Sequence, residues 1–342
     1  MQVVSWIRRA RPKARGGTLV LLALLLLSGC GAGGDAAPRL RLRLVRDIAL
    51  SGPAVRFDYQ DVDAGARRLY VAHLGASQVE VFDLDALRPA GAVPGVTDVH
   101  GVRVAPDLHR LFATATGNDQ VLTIDTDSLQ VVGRAPTGRF PDGLAYDPSN
   151  HLLSVSNKSD GSETVSDTRT GRVLRTVRLG KEAGNVVDDP TTGTMLAAAR
   201  PPDELAAFDP ATGSVTGRIP LPGCHGAHGV YVDPPSRRAF VACEDNARLA
   251  VADLASRREL SLHKVGSAPD VLAFDPGLGR LYVAAESGVL TVLAVDGRGV
   301  RTLGRGHLAA GAHTVAVDPQ THNLFFPLEN VGGHAVLRVM QP

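Results

Sequence analysis

Histidines and aspartates recur in this chain at a spacing that no helix and no single loop explains. Asp58, His100, Asp142, His228, Asp270 and His313 each lie five residues ahead of one recurring step, Asp-Pro in its full form. A second set follows the step, where an apolar run ends: Leu74, Thr116, Asn157, Arg200, Glu244, Glu286 and Glu329. Imidazoles mixed with carboxylates suit Zn, Mn or Fe, whereas a carboxylate-only subset suits Ca. Carboxylates gathered closely raise one another's pKa unless a cation relieves them, and a divalent ion would do so. With an open position and a carboxylate to accept a proton from water, such a group supports metal-assisted hydrolysis. The candidate metal ligands are His228, Asp270, His313 and Glu244. Glu286, Glu329, Arg200, His100, Asp142 and Asp58 complete the candidate ligand-binding set. Arg200 can pair with a carboxylate or hold an anionic ligand.

These residues converge only if the segments that carry them stand side by side, and the step supplies the reason. It occurs at Asp147-Pro148, Asp189-Pro190, Asp233-Pro234, Asp275-Pro276 and Asp318-Pro319, with degenerate copies at Asp63-Ala64 and Ala105-Pro106. Successive copies are 42, 42, 42, 44, 42 and 43 residues apart. Each repeat holds four short β-branched runs. In the second repeat they begin at His100, Leu111, Gln120 and Leu129, with Gly, Asp, Asn and Pro between them. Pro cannot donate to a ladder, so the step belongs in the turn between first and second strands. Four strands per repeat of about 40–45 residues predict a β-propeller blade, and seven copies predict a seven-bladed, all-β ring. The last repeat stops one strand short, at Pro342. The run Leu42 to Leu50 resembles the outer strand that begins at Val173, so it is expected to complete the last blade and remove an exposed edge.

In that frame both residue sets sit at one mouth of the central channel, because the second strand returns antiparallel to the first. A plainer reading stands beside the ligand-binding one: polar residues at the start of an inner strand can hydrogen-bond the next blade's backbone and hold the blades in register. His73 is placed to face either the channel or a blade interface. His225 and His334 fall in Gly-rich loops. His109, His151 and His322 fall in turns at the opposite mouth, and His263 and His307 on outer strands.

The chain has 342 residues, a formal net charge of +1 and 4% aromatic residues. It therefore has neither the field nor the stacking platforms expected of a nucleic-acid binder. Arg8, Arg9, Arg11, Lys13 and Arg15 precede an apolar stretch from Leu19 to Leu27 that is too short to span a bilayer. The stretch ends Leu27-Ser28-Gly29-Cys30, which looks like a bacterial lipobox. That resemblance implies cleavage before Cys30, lipidation of its sulfur and attachment to a membrane outside the cytoplasm. Gly31 follows the cysteine, which in a cell with two membranes points to the outer one. Residues 1–29 are thus expected to be a signal peptide, 30–38 a flexible tether and 39–342 the propeller. In an oxidising compartment Cys224 and Cys243 come at the same blade face and suit a disulfide; buried free thiols are the alternative.

The segments Pro141-Asp-Gly-Leu-Ala-Tyr-Asp-Pro148 and Ala227-His-Gly-Val-Tyr-Val-Asp-Pro234, with Leu69-Tyr-Val-Ala72 and Leu281-Tyr-Val-Ala-Ala285, resemble the YncE-like, YVTN-repeat family of seven-bladed propellers. Two repeats depart from its pattern, with Asp58-Tyr59 in the first and Gly184-Asn185 in the fourth. The resemblance implies a binding or scaffold role at the channel mouth, toward a protein, glycan or small ligand. A lactonase-type, metal-dependent hydrolase and a partner of a redox or quinoprotein system are the other readings. Propellers host many chemistries, so the site has to decide.

Overall fold

The computed structural model describes residues 37–342, which form one compact unit. The basic and apolar N-terminal stretches and Cys30 lie outside the described residues. Each repeat folds into a four-stranded antiparallel sheet, and there are seven such sheets among the described residues. Both faces of each sheet are covered by the neighbouring blades, so the core is distributed between them. Between blades one and two, for example, Tyr70 and Val81 pack with Val104, Leu111 and Leu122.

The last blade draws on both ends of the described chain. Its own strands are Ala316–Val317, Leu324–Val331 and His334–Gln341. Arg43–Ala49 adds the fourth, antiparallel to His334–Gln341, with Arg43 opposite Gln341 and Ala49 opposite Val336. Just upstream, Pro38 and Leu40 exchange backbone hydrogen bonds with Arg305 on the outer strand of blade six.

The Asp of the repeated step works at the turn it marks. Asp147 Oδ1 accepts the backbone N–H of Ser149 at 2.8 Å, and Asp63 Oδ1 accepts those of Gly65 and Ala66 at 3.0 and 2.8 Å. Four residues after the step the backbone is left-handed in every blade, at Arg67, His109, His151, Gly193, Arg237, Gly279 and His322. That twist sends some of these side chains back to the preceding blade. Arg67 makes a bidentate pair with Asp318 at 2.9 and 2.7 Å, Arg237 one with Asp189 at 2.7 and 3.0 Å, and His322 Nδ1 lies 2.8 Å from Asp275.

The inner strands carry the feature that positions the site. In blade two Val99 pairs with Ala115 and Val102 with Ala113, so His100 and Gly101 together oppose Thr114. The same irregularity falls at Asp142-Gly143, Gly184-Asn185, His228-Gly229 and Asp270-Val271. Such a bulge bends its strand and re-aims a side chain. Glycine follows the aimed residue where adjacent inner strands press together: a Cβ on Gly229 would stand 1.8 Å from the Asp270 carbonyl oxygen. In blade five a disulfide joins Cys224, on the approach to the inner strand, to Cys243 at the end of the second, with Cα atoms 5.2 Å apart.

Candidate functional site

The bulges turn His100, Asp142, His228 and Asp270 toward one mouth of the channel, where Asp58 joins them. Asp58, His100, Asp142, His228 and Asp270 line a cavity of about 520 Å³ there. From the second set, Leu74, Thr116, Glu244 and Glu286 line the same cavity. His313 is buried behind Asp270, its Nε2 4.0 Å from Asp270 Oδ2. Glu329 is not brought in; its carboxylate stays beside Gly311. Arg200 bridges Glu182 at 3.1 Å and Glu244 at 2.8 Å, which commits its guanidinium.

The second set needs one correction. Leu74, Thr116, Arg200, Glu244, Glu286 and Glu329 each lie eleven residues after the step, and in blade three that count gives Lys158, not Asn157. Asn157 is buried and spent on Gly138 N, Ser162 and Thr164. Lys158 opens the 3-10 turn that follows the strand and lines the cavity, its Nζ 3.7 Å from Asp142 Oδ2.

Tyr59 and Asn185, the two departures from the glycine pattern, meet each other across the channel. The Asn185 amide donates to the Tyr59 hydroxyl. The same hydroxyl donates to Asp270 Oδ1 at 3.1 Å and stands 3.5 Å from His228 Nε2. Tyr59 thereby forms a floor: Tyr59 and Asp270 line both the mouth cavity and a second one of about 420 Å³ toward the opposite face. Arg56, Asp98 and Phe140 also line the mouth cavity; all three lie seven residues ahead of the step, a position whose residue type changes from blade to blade.

The histidines outside the site fall mostly where expected. His73 is buried within blade one, its Nδ1 2.8 Å from Glu80 and its ring 4.1 Å from that of Phe57, so it does not face the channel. His225 is exposed; His334, expected in a Gly-rich loop, is exposed at the first position of the strand His334–Gln341, paired with Val331.

Electrostatics around the cavity centre on Asp270. Burial opposes its ionisation, but the His228 imidazole at 3.4 Å, with His313 and Lys158 close by, holds it well below the usual carboxylate range. Asp58 behaves oppositely. Burial, reinforced by the charges of Asp270 and Asp142, pushes it well above that range. Burial would lower His228, yet the Asp270 contact and the Glu244 charge leave it raised. Burial, then Asp270 and Asp142, push the Tyr59 hydroxyl far up, so it remains a neutral donor.

Two groups of three ligand atoms share Asp270. One is Asp58, Asp270 and His313; the other is His228, Glu244 and Asp270; within each, the atoms lie within 4.8 Å of one another. In the first group the donors are prepared and unspent. His313 Nδ1–H donates to the Gly311 carbonyl at 2.8 Å, which leaves the lone pair on Nε2. His313 Nε2 and Asp58 Oδ1 are buried without a hydrogen-bond partner. Buried polar atoms in native proteins are rarely orphaned, so each calls for a missing partner. The site carboxylates also differ from the turn carboxylates. Among the described residues, Asp58, Asp142 and Asp270 accept no backbone N–H, whereas Asp83 accepts two, at 2.9 and 2.8 Å. Register between inner strands is instead held by main chain, as from Tyr59 N to the His100 carbonyl at 3.2 Å. That weighs against a purely structural role for these side chains.

No protein-family model and no curated protein matches the chain. Among solved structures it is similar to Kuenenia stuttgartiensis hydrazine synthase, with a TM-score of 0.70 and 16% identity, over 90% of this chain and 98% of that one. At that identity the likeness carries the fold and not the chemistry: the chain is a seven-bladed β-propeller.

Proposed function

We propose that this is a lipid-anchored, extracytoplasmic binding propeller that takes a small ligand at the channel mouth around a divalent metal ion. The anchor rests on the Leu27–Cys30 sequence, and the YncE-like, YVTN-repeat resemblance favours a binding role. The observation that carries the metal is the pair of buried, unpartnered donors His313 Nε2 and Asp58 Oδ1 facing the shared carboxylate of Asp270. Both ligand groups mix imidazole with carboxylate, which favours Zn, Mn or Fe over Ca. A bound ion would supply Lewis acidity and an attachment point for an oxygen of the ligand. The chain's own residues do the rest. Asp270 ties the two groups together, Tyr59 closes the floor beneath them, and Gly311 holds the His313 tautomer.

A second reading, hydrolysis of an ester or lactone, is favoured by Glu244, whose Oε1 lies 3.6 Å from His228 Nε2 as a carboxylate able to accept a proton from water. Elemental analysis of the chain from Ala37 onward, which contains every strand of the ring, tests the metal. One ion per chain is expected, lost in His313→Ala and in Asp270→Asn. A metal-free chain whose melting temperature ignores chelators, after exposure to Zn and Mn, would overturn the proposal. A panel of esters and lactones on the loaded protein decides the second reading.

A further inference from the structure

The mouth cavity has two unlike halves. Blades five, six, seven and one bring the shared ligand groups. Blades one to three bring Leu74, His100, Phe140 and Lys158. Phe140 is 38% exposed although it is a large apolar side chain. Its backbone is fixed in the left-handed region, at φ 58°, between Asp119, which accepts its N–H at 2.9 Å, and Lys158, whose N–H it accepts at 2.9 Å. The ring packs edge-on against His100 with centroids 5.0 Å apart, and the Lys158 ammonium stands 6.0 Å from its centroid. An exposed aromatic held this firmly beside a cavity offers a wall for an apolar group.

The cations around the cavity are unequally committed. Arg56 is hydrogen-bonded to Glu286 at 2.7 Å, and Arg200 bridges two glutamates. Lys158 has a single carboxylate within 4.0 Å among the described residues, Asp142, and at 3.7 Å it is beyond hydrogen-bonding distance. Burial disfavours its charge, but Asp142, Glu244 and Asp270 hold its pKa above the ordinary value, so it is an ammonium with donors to offer. The acidic side chains around the cavity, Asp58, Asp98, Asp142, Glu244, Asp270 and Glu286, outnumber the cations Arg56, Lys158 and Arg200, so a ligand with one negative charge suits the site better than a phosphoryl group, which carries about −1.5 to −2 at neutral pH.

Resting on the metal reading above, we infer that the ligand is a monocarboxylate with an apolar or aromatic body. Its carboxylate spans from the metal group to Lys158, and its body lies against Phe140 and Leu74. The cavity, about 520 Å³, accommodates a small molecule of this kind.

Calorimetric titration of the Zn-loaded chain from Ala37 with benzoate, hexanoate, acetate and inorganic phosphate tests this. Benzoate and hexanoate should bind at least about tenfold more tightly than acetate, a difference expected from burying a few methylenes or a ring. Phe140→Ser should bring benzoate down to the level of acetate. Lys158→Met should weaken all three carboxylates by about tenfold while leaving the Zn content at one per chain, a loss of the size expected for a charge-assisted hydrogen bond. A loaded chain that binds benzoate no better than acetate, or phosphate better than benzoate, overturns the ligand class and leaves the metal standing. A chain that takes up no Zn overturns both.

Discussion

Glu163 shows what burial does to a carboxyl in this fold when no ion or cation answers it. It lies on the third strand of blade three, Ser162–Asp167, wholly buried, and accepts hydroxyl hydrogen bonds from Ser154 at 2.8 Å and Ser156 at 2.7 Å. Burial outweighs both donors and pushes the carboxyl from 4.5 up to about 8. Between those values the folded chain keeps a proton that the unfolded chain releases. Stability from this group is therefore complete below pH 4.5 and declines as pH rises toward about 8. The slope can reach about 1.4 kcal/mol per pH unit. Glu163→Gln keeps the shape without the titration. Denaturant midpoints from pH 5 to pH 8 should fall less steeply in the variant; an unchanged slope would assign the decline elsewhere. Asp58 is raised with the same sign, so the variant removes only part of it. Neither group's burial is legible in the chain, because Glu163 sits at an ordinary strand position. Lys158 is legible, since a strict count of eleven residues from the step finds it. Tyr59 and Asn185 are visible as departures from the pattern, but their meeting depends on side-chain reach across the channel, which no periodicity encodes.

At the scale of the strand, the repeat gives more than the number of sheets. It places turns at Asp-Pro, puts glycine after the aimed residue and sets the inner strand ahead of the second, all of which follow from backbone chemistry that sequence displays. The bulges are different. They appear only as a pairing of two residues against one, and it is they that turn His100, Asp142, His228 and Asp270 to the mouth. Gly229 tests whether close strand approach and site geometry are one feature. Its added Cβ would meet a main-chain oxygen of the next blade at 1.8 Å, so backbone has to move. Gly229→Ala is expected to cost about 1–3 kcal/mol, as overpacking does elsewhere, and to lower metal affinity by shifting Asp270. Gly297 has nothing within 4 Å of its built Cβ, so Gly297→Ala serves as the control and should change stability by less than about 0.5 kcal/mol. Thermal unfolding with Zn titration reads both effects. Equal behaviour of the two variants would separate the bulge from the site.

For the ring as a whole the decisive contact is the one that joins its ends. Arg43–Ala49 covers the edge of His334–Gln341, and side chains of this strand and of the residues flanking it reach into the cores on both sides. Leu40 and Leu42 pack with the cluster between blades six and seven, while Val45, Ile48 and Leu50 pack with the one between blades seven and one. Asp47 adds a bidentate pair with Arg338 at 2.9 and 2.7 Å. Burying Ile48 alone contributes about 2 kcal/mol. Removing residues 37–50 would open both interfaces and expose a strand edge able to pair with another chain. The shortened chain should unfold at lower temperature and elute as higher oligomers. A synthetic peptide of residues 37–50 added in trans should restore the discrete species, because the missing element is a strand that binds by ladder hydrogen bonds and two apolar faces. The mouth site is a sensitive reporter of that repair. Asp58 and His313 belong to blades one and seven, the two that this strand holds together, so metal uptake should fail with the deletion and return with the peptide. A shortened chain that stays dispersed and still binds its ion would mean that the ring holds without its N-terminal strand, and that the metal group owes its geometry to the inner strands alone.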